Sequence, residues 1–562
     1  MRKRARKHLL KQTMNTSNNI LRLRYCAITA VFIFFLSCKP DTPVIFSIDP
    51  KIGKKGEIVT LTGNNFGEAR SEAYVTIAGT APTNSSYHVW QNDKIVVRAP
   101  ESGESGLIYV HIGGKKSNGV LFSNSASVPK PIEGEEFGLE PKVSSVTPQT
   151  GAPGTLVTIT GNNFGGTREG GGVFFSWDFE SPSINPFAVN EPEFIEVSEA
   201  ELGYEYWSMR EIRVRIPDGA VSGNLEIRTP HGKSRPVFFD VSGKPGVKTF
   251  KEKRSYIVNF SVDIRTLEAQ RPNMLYLWIP KPVTSVSQRN VSLISRSMDP
   301  FIENYKGVSL FKLDNLAAGS NQTINLSYRV EAYTVETGMR PLSVRQEQSP
   351  LSAMYTQSTA LIPSDDRIIR TTIGVILGRE QNPYAKAKLI YDWVTEHILI
   401  TQNSYTPDII AALEKKQADP RATALLYAAM ARAAGLPCIP VAGVLVPSER
   451  ERSGQTLVHY WTELWIADFG WMPVDPVMGA GMVPLSYISK QDTGNYYFGN
   501  LDNMRIAFSR GELALSQMET KGRLVSHTQS YSLQNIWEEA AGGLESYSSL
   551  WGDITISGIY IH

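Results

Sequence analysis

Cysteine is almost missing from this chain. Three occur in 562 residues, at Cys26, Cys38 and Cys438. The first two belong to an amino-terminal stretch that reads as an export signal, so one thiol remains and no internal disulfide can form. The eight histidines are scattered without metal-ligand spacing, so no metal or other cofactor is expected. No glycine-rich loop follows a strand, which excludes a phosphate cradle of the usual kind. No basic patch with interleaved aromatics is present, which argues against nucleic acid. The apolar run from Tyr25 to Leu36 is about a dozen residues, too short to span a bilayer and suited to a signal h-region.

The basic balance has the same origin. Residues 1–37 hold eight Lys/Arg and no acid, so removing them from a net charge of +2 leaves −6. The run closes Phe35-Leu36-Ser37-Cys38, which resembles a bacterial lipobox. That resemblance implies cleavage before Cys38 and lipid on its thiol, giving an exported lipoprotein, periplasmic or at the cell surface. An uncleaved anchor is the alternative, and either Met1 or Met14 can be the start. The length is too great for one core and points to roughly three to five domains.

A repeat follows the signal. Ser47-Ile48-Asp49-Pro50, Gly56 and Val59-Thr60-Leu61-Thr62-Gly63-Asn64-Asn65-Phe66-Gly67 recur 98 residues later, from Ser145 to Gly165. Short alternating strands and Gly-Asn-Asn turns are the pattern of a small antiparallel sandwich. The signature resembles immunoglobulin-like IPT/TIG domains, which implies that fold and either a spacer or a binding module. The second copy carries an insertion between Gly166 and Ile195. Its Trp177, Phe179 and Phe187 are either core-packing or an exposed contact. Between the copies, prolines 129, 131 and 141 mark a semi-rigid linker.

A third β region starts near residue 243. Val258, Phe260, Val262 and Ile264 alternate with polar residues, and Leu275 to Pro280 reads as a further strand. The Leu-Trp-Ile-Pro stretch followed by Gln288 resembles the β domain preceding many bacterial transglutaminase cores. The texture then turns helical. Asn382-Pro383 and Asp419-Pro420 are helix starts, and Gly435 with Pro437 is a stop. His459, Trp461, Glu463 and Trp465 alternate, and a second strand runs from Trp471 to Asp475 after a turn at Gly470.

The alanine-rich helix with these two strands resembles the core of the transglutaminase-like, papain-like thiol superfamily. The motif H-x-W-x-E … G-W-x-x-x-D-P falls on His459, Trp461, Glu463, Gly470, Trp471, Asp475 and Pro476. The resemblance implies a cysteine at the helix start, with His459 and Asp475 as its partners. Counting back from Gly435, that cysteine position holds Pro420, and Val477 replaces the usual threonine. Cys438 lies past the helix, roughly 22 Å from its start. A thiol needs hydrogen-bond reach to its base, so thiol catalysis is not expected.

The expected fold class is multidomain: all-β immunoglobulin-like sandwiches, then an α+β transglutaminase-like domain. The expected boundaries are 1–37 signal, 38–123 and 142–242 IPT/TIG, 124–141 linker, 243–345 β-sandwich, 346–490 transglutaminase-like and 491–562 β tail. The residues point to a cell-envelope binder or scaffold with an unknown protein, peptide or glycan ligand, without nucleic acid. The His459–Asp475 dyad then ties strands together or lines an old groove floored by Trp461 and Tyr405. The rival is an enzyme on peptide amides using another nucleophile, such as the Ser404 hydroxyl.

Overall fold

The structure, a computed structural model, describes residues 42–101, 105–125, 140–168, 170–179, 193–243, 245–346, 349–401, 405–446, 455–483, 492–527 and 530–562. The expected signal, Cys38, the linker from 126 to 139, Phe187 and Ser404 lie outside the described residues. The chain forms two compact units, Met1–Glu135 and Glu136–His562.

The first unit holds the first repeat, a two-sheet sandwich. One sheet orders Val44–Asp49, Ile58–Asn64, Lys94–Arg98 and Tyr87–Trp90; the other contains Val120–Asn124, Gly106–Ile112 and Tyr74–Ile77. Alternation sends Val59, Leu61, Val75 and Ile77 into a sealed core, each contributing about 2 kcal/mol of apolar burial. The repeated signature has a physical cause. A Cβ on Gly63 would run into the Val44 carbonyl of the neighbouring strand. Asn65 takes a left-handed φ of 61°, which turns Phe66 into the core. Trp90 Nε1 then donates to the Phe66 carbonyl at 2.7 Å.

The second repeat copies this order with Lys142–Thr147, Leu156–Asn162, Glu211–Arg215 and Tyr204–Trp207. Trp207 donates to the Phe164 carbonyl at 3.0 Å. Within the larger unit, however, this repeat is built into a body. Trp177 is 2% exposed and packs on Phe250 and Tyr333, ring centroids 5.2 and 5.0 Å away. Lys248 pairs with the buried Asp218 at 2.5 Å, and Arg510 pairs with Glu201. Trp177 is therefore a core residue of a domain junction.

The body is one sheet where the sequence suggested a sandwich and a separate tail. A strand running Gly246–Pro280 (β1) pairs over 246–265 with Asn321–Met339 (β2) and over 274–280 with Val308–Asp314. Its other edge takes Glu538–Trp551 and Thr555–Ile561. The two expected strands are thus one bent strand, and the end of the tail belongs to the same sheet.

The helical part follows the local signals. Helix α1 (Pro383–His397) is capped by Asn382 and helix α2 (Pro420–Ala433) by Asp419, whose side chains accept from Ala385 and Ala422 N–H groups. Gly435 ends α2 at φ 78°. A four-stranded sheet packs on α2, built from Cys438–Leu445 (β3), Leu457–Ile466 (β4), Gly470–Val474 (β5) and Arg505–Arg510 (β6), in the order β5-β4-β3-β6. A single turn, Pro476–Gly479 (α3), leads out of β5 against α2. Small alanine side chains let α2 sit in close packing, with every residue from Ala422 to Arg432 buried.

Candidate functional site

At the start of α2, where the thiol superfamily carries its nucleophile, Pro420 is half-buried above a fully hydrogen-bonded cap. Asp419 is 2% exposed. One carboxylate oxygen accepts from Ala422 N–H at 2.7 Å, and the other from Thr406 N–H at 2.6 Å. The Asp419 N–H donates to the Thr406 hydroxyl at 3.2 Å. The helix start is thereby stitched to the loop that precedes it. Pro420 brings neither a nucleophile nor an N–H. Behind it, Tyr460 packs on Ala424 and donates to the Ser530 carbonyl at 2.5 Å.

His459 and Asp475 do meet. His459 Nε2 lies 2.7 Å from Asp475 Oδ2, and both side chains are buried. The carboxylate sits at the end of β5 because it caps α3, with Oδ1 accepting from Val477 and Met478 N–H groups at 3.1 and 2.9 Å. A backbone donor serves as well from valine as from threonine, so Val477 leaves the cap intact.

The sequence reading missed the third member. Arg505 Nη1 donates to the same Asp475 oxygen at 2.8 Å, and its Nη2 donates to Asp502 at 2.6 Å. Tyr497 completes the chain by donating to Asp502 at 3.1 Å. Burial pushes the Asp475 carboxyl up, but His459, Arg505 and the Met478 N–H outweigh burial and hold it down at about 2. The acid–base pair Asp502/Arg505 three residues apart was the available signal. Nothing local says that β6 would carry it to Asp475, thirty residues away.

Trp461 and Tyr405 do not share a groove floor. Trp461 is 2% exposed and lies among Val441, Leu501, Ala507 and Tyr333, with Arg505 over its ring at 5.1 Å. Alternation along β4 gives it the face that meets the body. Tyr405 is 43% exposed in the loop pinned by Asp419. Glu463 pairs with Arg510 at 2.6 Å, and Gln288 bridges to Ala507 through both of its amide atoms.

Cys438 offers no substitute nucleophile. It is fully buried, and burial pushes its thiol up to about 12. It starts β3, whose Gly443 pairs with His459. Five residues of strand separate them by roughly 17 Å.

Comparison with known proteins finds matches to two parts of the chain. The family profile for the transglutaminase-like superfamily matches residues 370–476, and that for the IPT/TIG domain matches 43–127 and 141–179. Among curated proteins, a cyclomaltodextrin glucanotransferase of Bacillus licheniformis is 27% identical over 134 residues. That is 24% of this chain and 17% of the relative. Among solved structures, a candidate cysteine protease from Cytophaga hutchinsonii is similar with a TM-score of 0.34 and 13% identity, covering 56% of this chain and 92% of that one. The surface glycan-binding protein PbSGBP-B from Prevotella bryantii has a TM-score of 0.17 and 9% identity, covering 52% and 98%. The repeated signature and the strand–helix core thus carry family profiles of their own, and the chain is one with immunoglobulin-like IPT/TIG domains and a transglutaminase-like superfamily domain.

Proposed function

We propose that this chain is a non-catalytic binding or scaffold protein of the cell envelope. Lipid on Cys38 holds it to a membrane. Its transglutaminase-like domain is offered to a protein, peptide or glycan beyond that surface. The observation that carries this reading is a start of α2 that bears no nucleophile. Pro420 stands at the nucleophile position, Asp419 has both carboxylate oxygens committed, and the one described thiol, Cys438, is buried and protonated. The dyad then serves as a tie: His459 of β4, Asp475 after β5 and Arg505 of β6 join three strands through one carboxylate. A charge satisfied on this scale rigidifies a sheet without needing a substrate.

The test sets wild type beside Pro420→Cys, with amide hydrolysis and amine transfer on generic peptides as readouts. The expected result is a silent wild type. Activity gained only by the variant marks an intact dyad that lost its thiol, whereas activity in wild type sinks the reading. Labelled palmitate entering wild type but not Cys38→Ser checks the anchor.

A further inference from the structure

The first repeat turns an apolar face outward. Its sheet of Ile52–Gly53, Val120–Asn124, Gly106–Ile112 and Tyr74–Ile77 buries Ile108, Val110 and Phe122 on one side. Alternation sends Leu107, Tyr109 and His111 to the other. Leu107 stands opposite Leu121, Tyr74 opposite His111, and Ile52 opposite Ser123, two residues from Leu121. Ile52, Leu121, Leu107 and Tyr74 are 54, 58, 43 and 43% exposed. The Tyr74 and His111 rings stack at 4.6 Å, and Lys116 Nζ lies 3.5 Å over the Tyr109 ring. Exposed Phe46 adds a ring at the edge, because its neighbour Ile45 is held through N–H and carbonyl by Asn118, just ahead of Val120–Asn124. An outward face this apolar marks a surface that meets a partner or a membrane.

Charge and tether indicate which. The strands of this sheet, with the paired Lys115–Lys116, hold two lysines and no acid. The described acids of the module, Asp49, Glu57, Glu68, Glu72, Asp93 and Glu101, all lie outside them. Exposed Lys51 and Lys54 flank the Ile52–Gly53 edge. The second copy differs on the same face. Its strand Gly223–Thr229 puts Asn224, Glu226 and Arg228 where the first has Leu107, Tyr109 and His111, and Glu226 pairs with Arg228 at 2.6 Å. Gln149, Thr150 and Ala152 stand in place of Lys51, Ile52 and Lys54, and Ser144 in place of Phe46. The copy with the apolar and basic face is the one next to Cys38. Six residues from Cys38 to Val44 reach at most about 21 Å, roughly the length of a seven-residue strand. Lipid on Cys38 would keep this module within its own length of a membrane, and a lipid chain with a basic patch is a pair of signals that together hold a protein on anionic lipid.

We propose that the outer face of this sheet lies against an anionic lipid surface, with Ile52, Leu107 and Leu121 among the headgroups and Lys51 and Lys116 on the lipid phosphates. The inference rests on the envelope reading, in which Cys38 carries lipid. The experiment uses the chain from residue 38 with Cys38→Ser, which keeps every described residue and has no lipid of its own. It is sedimented with vesicles of phosphatidylglycerol and, separately, of phosphatidylcholine. The expected result is saturable binding to phosphatidylglycerol, about tenfold weaker or more on phosphatidylcholine. Leu107→Ser combined with Leu121→Ser should weaken it about fivefold or more, and so should Lys116→Glu. Phe238→Ser, at the exposed counterpart of Leu121 in the second copy, should leave it unchanged. No binding to phosphatidylglycerol, equal binding to both vesicles, or binding untouched by the paired leucine substitutions would overturn the proposal. So would a dimer in solution that those substitutions break, because a second copy would then cover the face. The chain tested is free of lipid, so its failure leaves palmitate on Cys38 standing. A wild type that takes no palmitate defeats the anchor whatever the vesicles do.

Discussion

The two repeats share a signature, a strand order and a tryptophan-to-carbonyl hydrogen bond, yet they serve different ends. The difference begins two residues past a shared core strand. Val75 and Ile77 of the first copy correspond, 98 residues on, to Val173 and Phe175. Continuing that offset, Gly79 stands where the second copy has Trp177. Gly79 turns the chain at φ 82°, with open space around it. Trp177 prolongs the strand and enters the body between Phe250, Tyr333 and Arg289. A module thus becomes a fixed part of a larger core by one longer strand and one large side chain, without change to its own interior.

The largest expected effect comes from removing that side chain. Trp177→Ala should cost about 4 kcal/mol by loss of a buried aromatic, read by urea unfolding. Hydrogen exchange should rise over 173–177 and stay unchanged over 75–77; equal change in both copies breaks the contrast. Next, Arg505→Met strands two buried carboxylates behind the second repeat's partner surface and should cost about 3 kcal/mol in the same assay. A pH series sharpens the point. Asp475 is depressed to about 2 in the folded chain against an unfolded value of 3.8. Its contribution of about 2 kcal/mol is therefore fully present above pH about 4 and is lost as pH falls through about 2. The gap in stability between wild type and Asp475→Asn should shrink over that window. The smallest effect is expected from Glu201→Gln, about 1 kcal/mol, because Arg510 keeps Glu463 when the repeat's own acid is neutralised.

Local rules carried far in this sequence. Asp419, Asn382 and Gly435 act at the helix ends where their chemistry placed them, and the repeat signature specified its sandwich. Pattern also paired His459 with Asp475. What it left dark depends on which surface an element meets. Period two put Trp461 and His459 on one face of β4 but did not say that the body covers it. Arg505 reaches Asp475 because β6 joins the far side of β3, a pairing that no spacing announces. Trp177 read as either core-packing or an exposed contact, because the partners that decide between them lie 73 and 156 positions away, at Phe250 and Tyr333.

The return of the last strands to β1 bears on how the chain reaches its native state. Arg254 pairs with Ile561 and Val262 with Trp551, so contacts that close the body span about three hundred residues. Loop closure over such a distance is entropically costly and slows folding. Until those strands arrive, one edge of β1 offers unmatched N–H and C=O groups to any neighbouring chain. A chain cut short before Glu538 should therefore self-associate, and a growing one needs shielding until Glu538 to Ile561 have emerged.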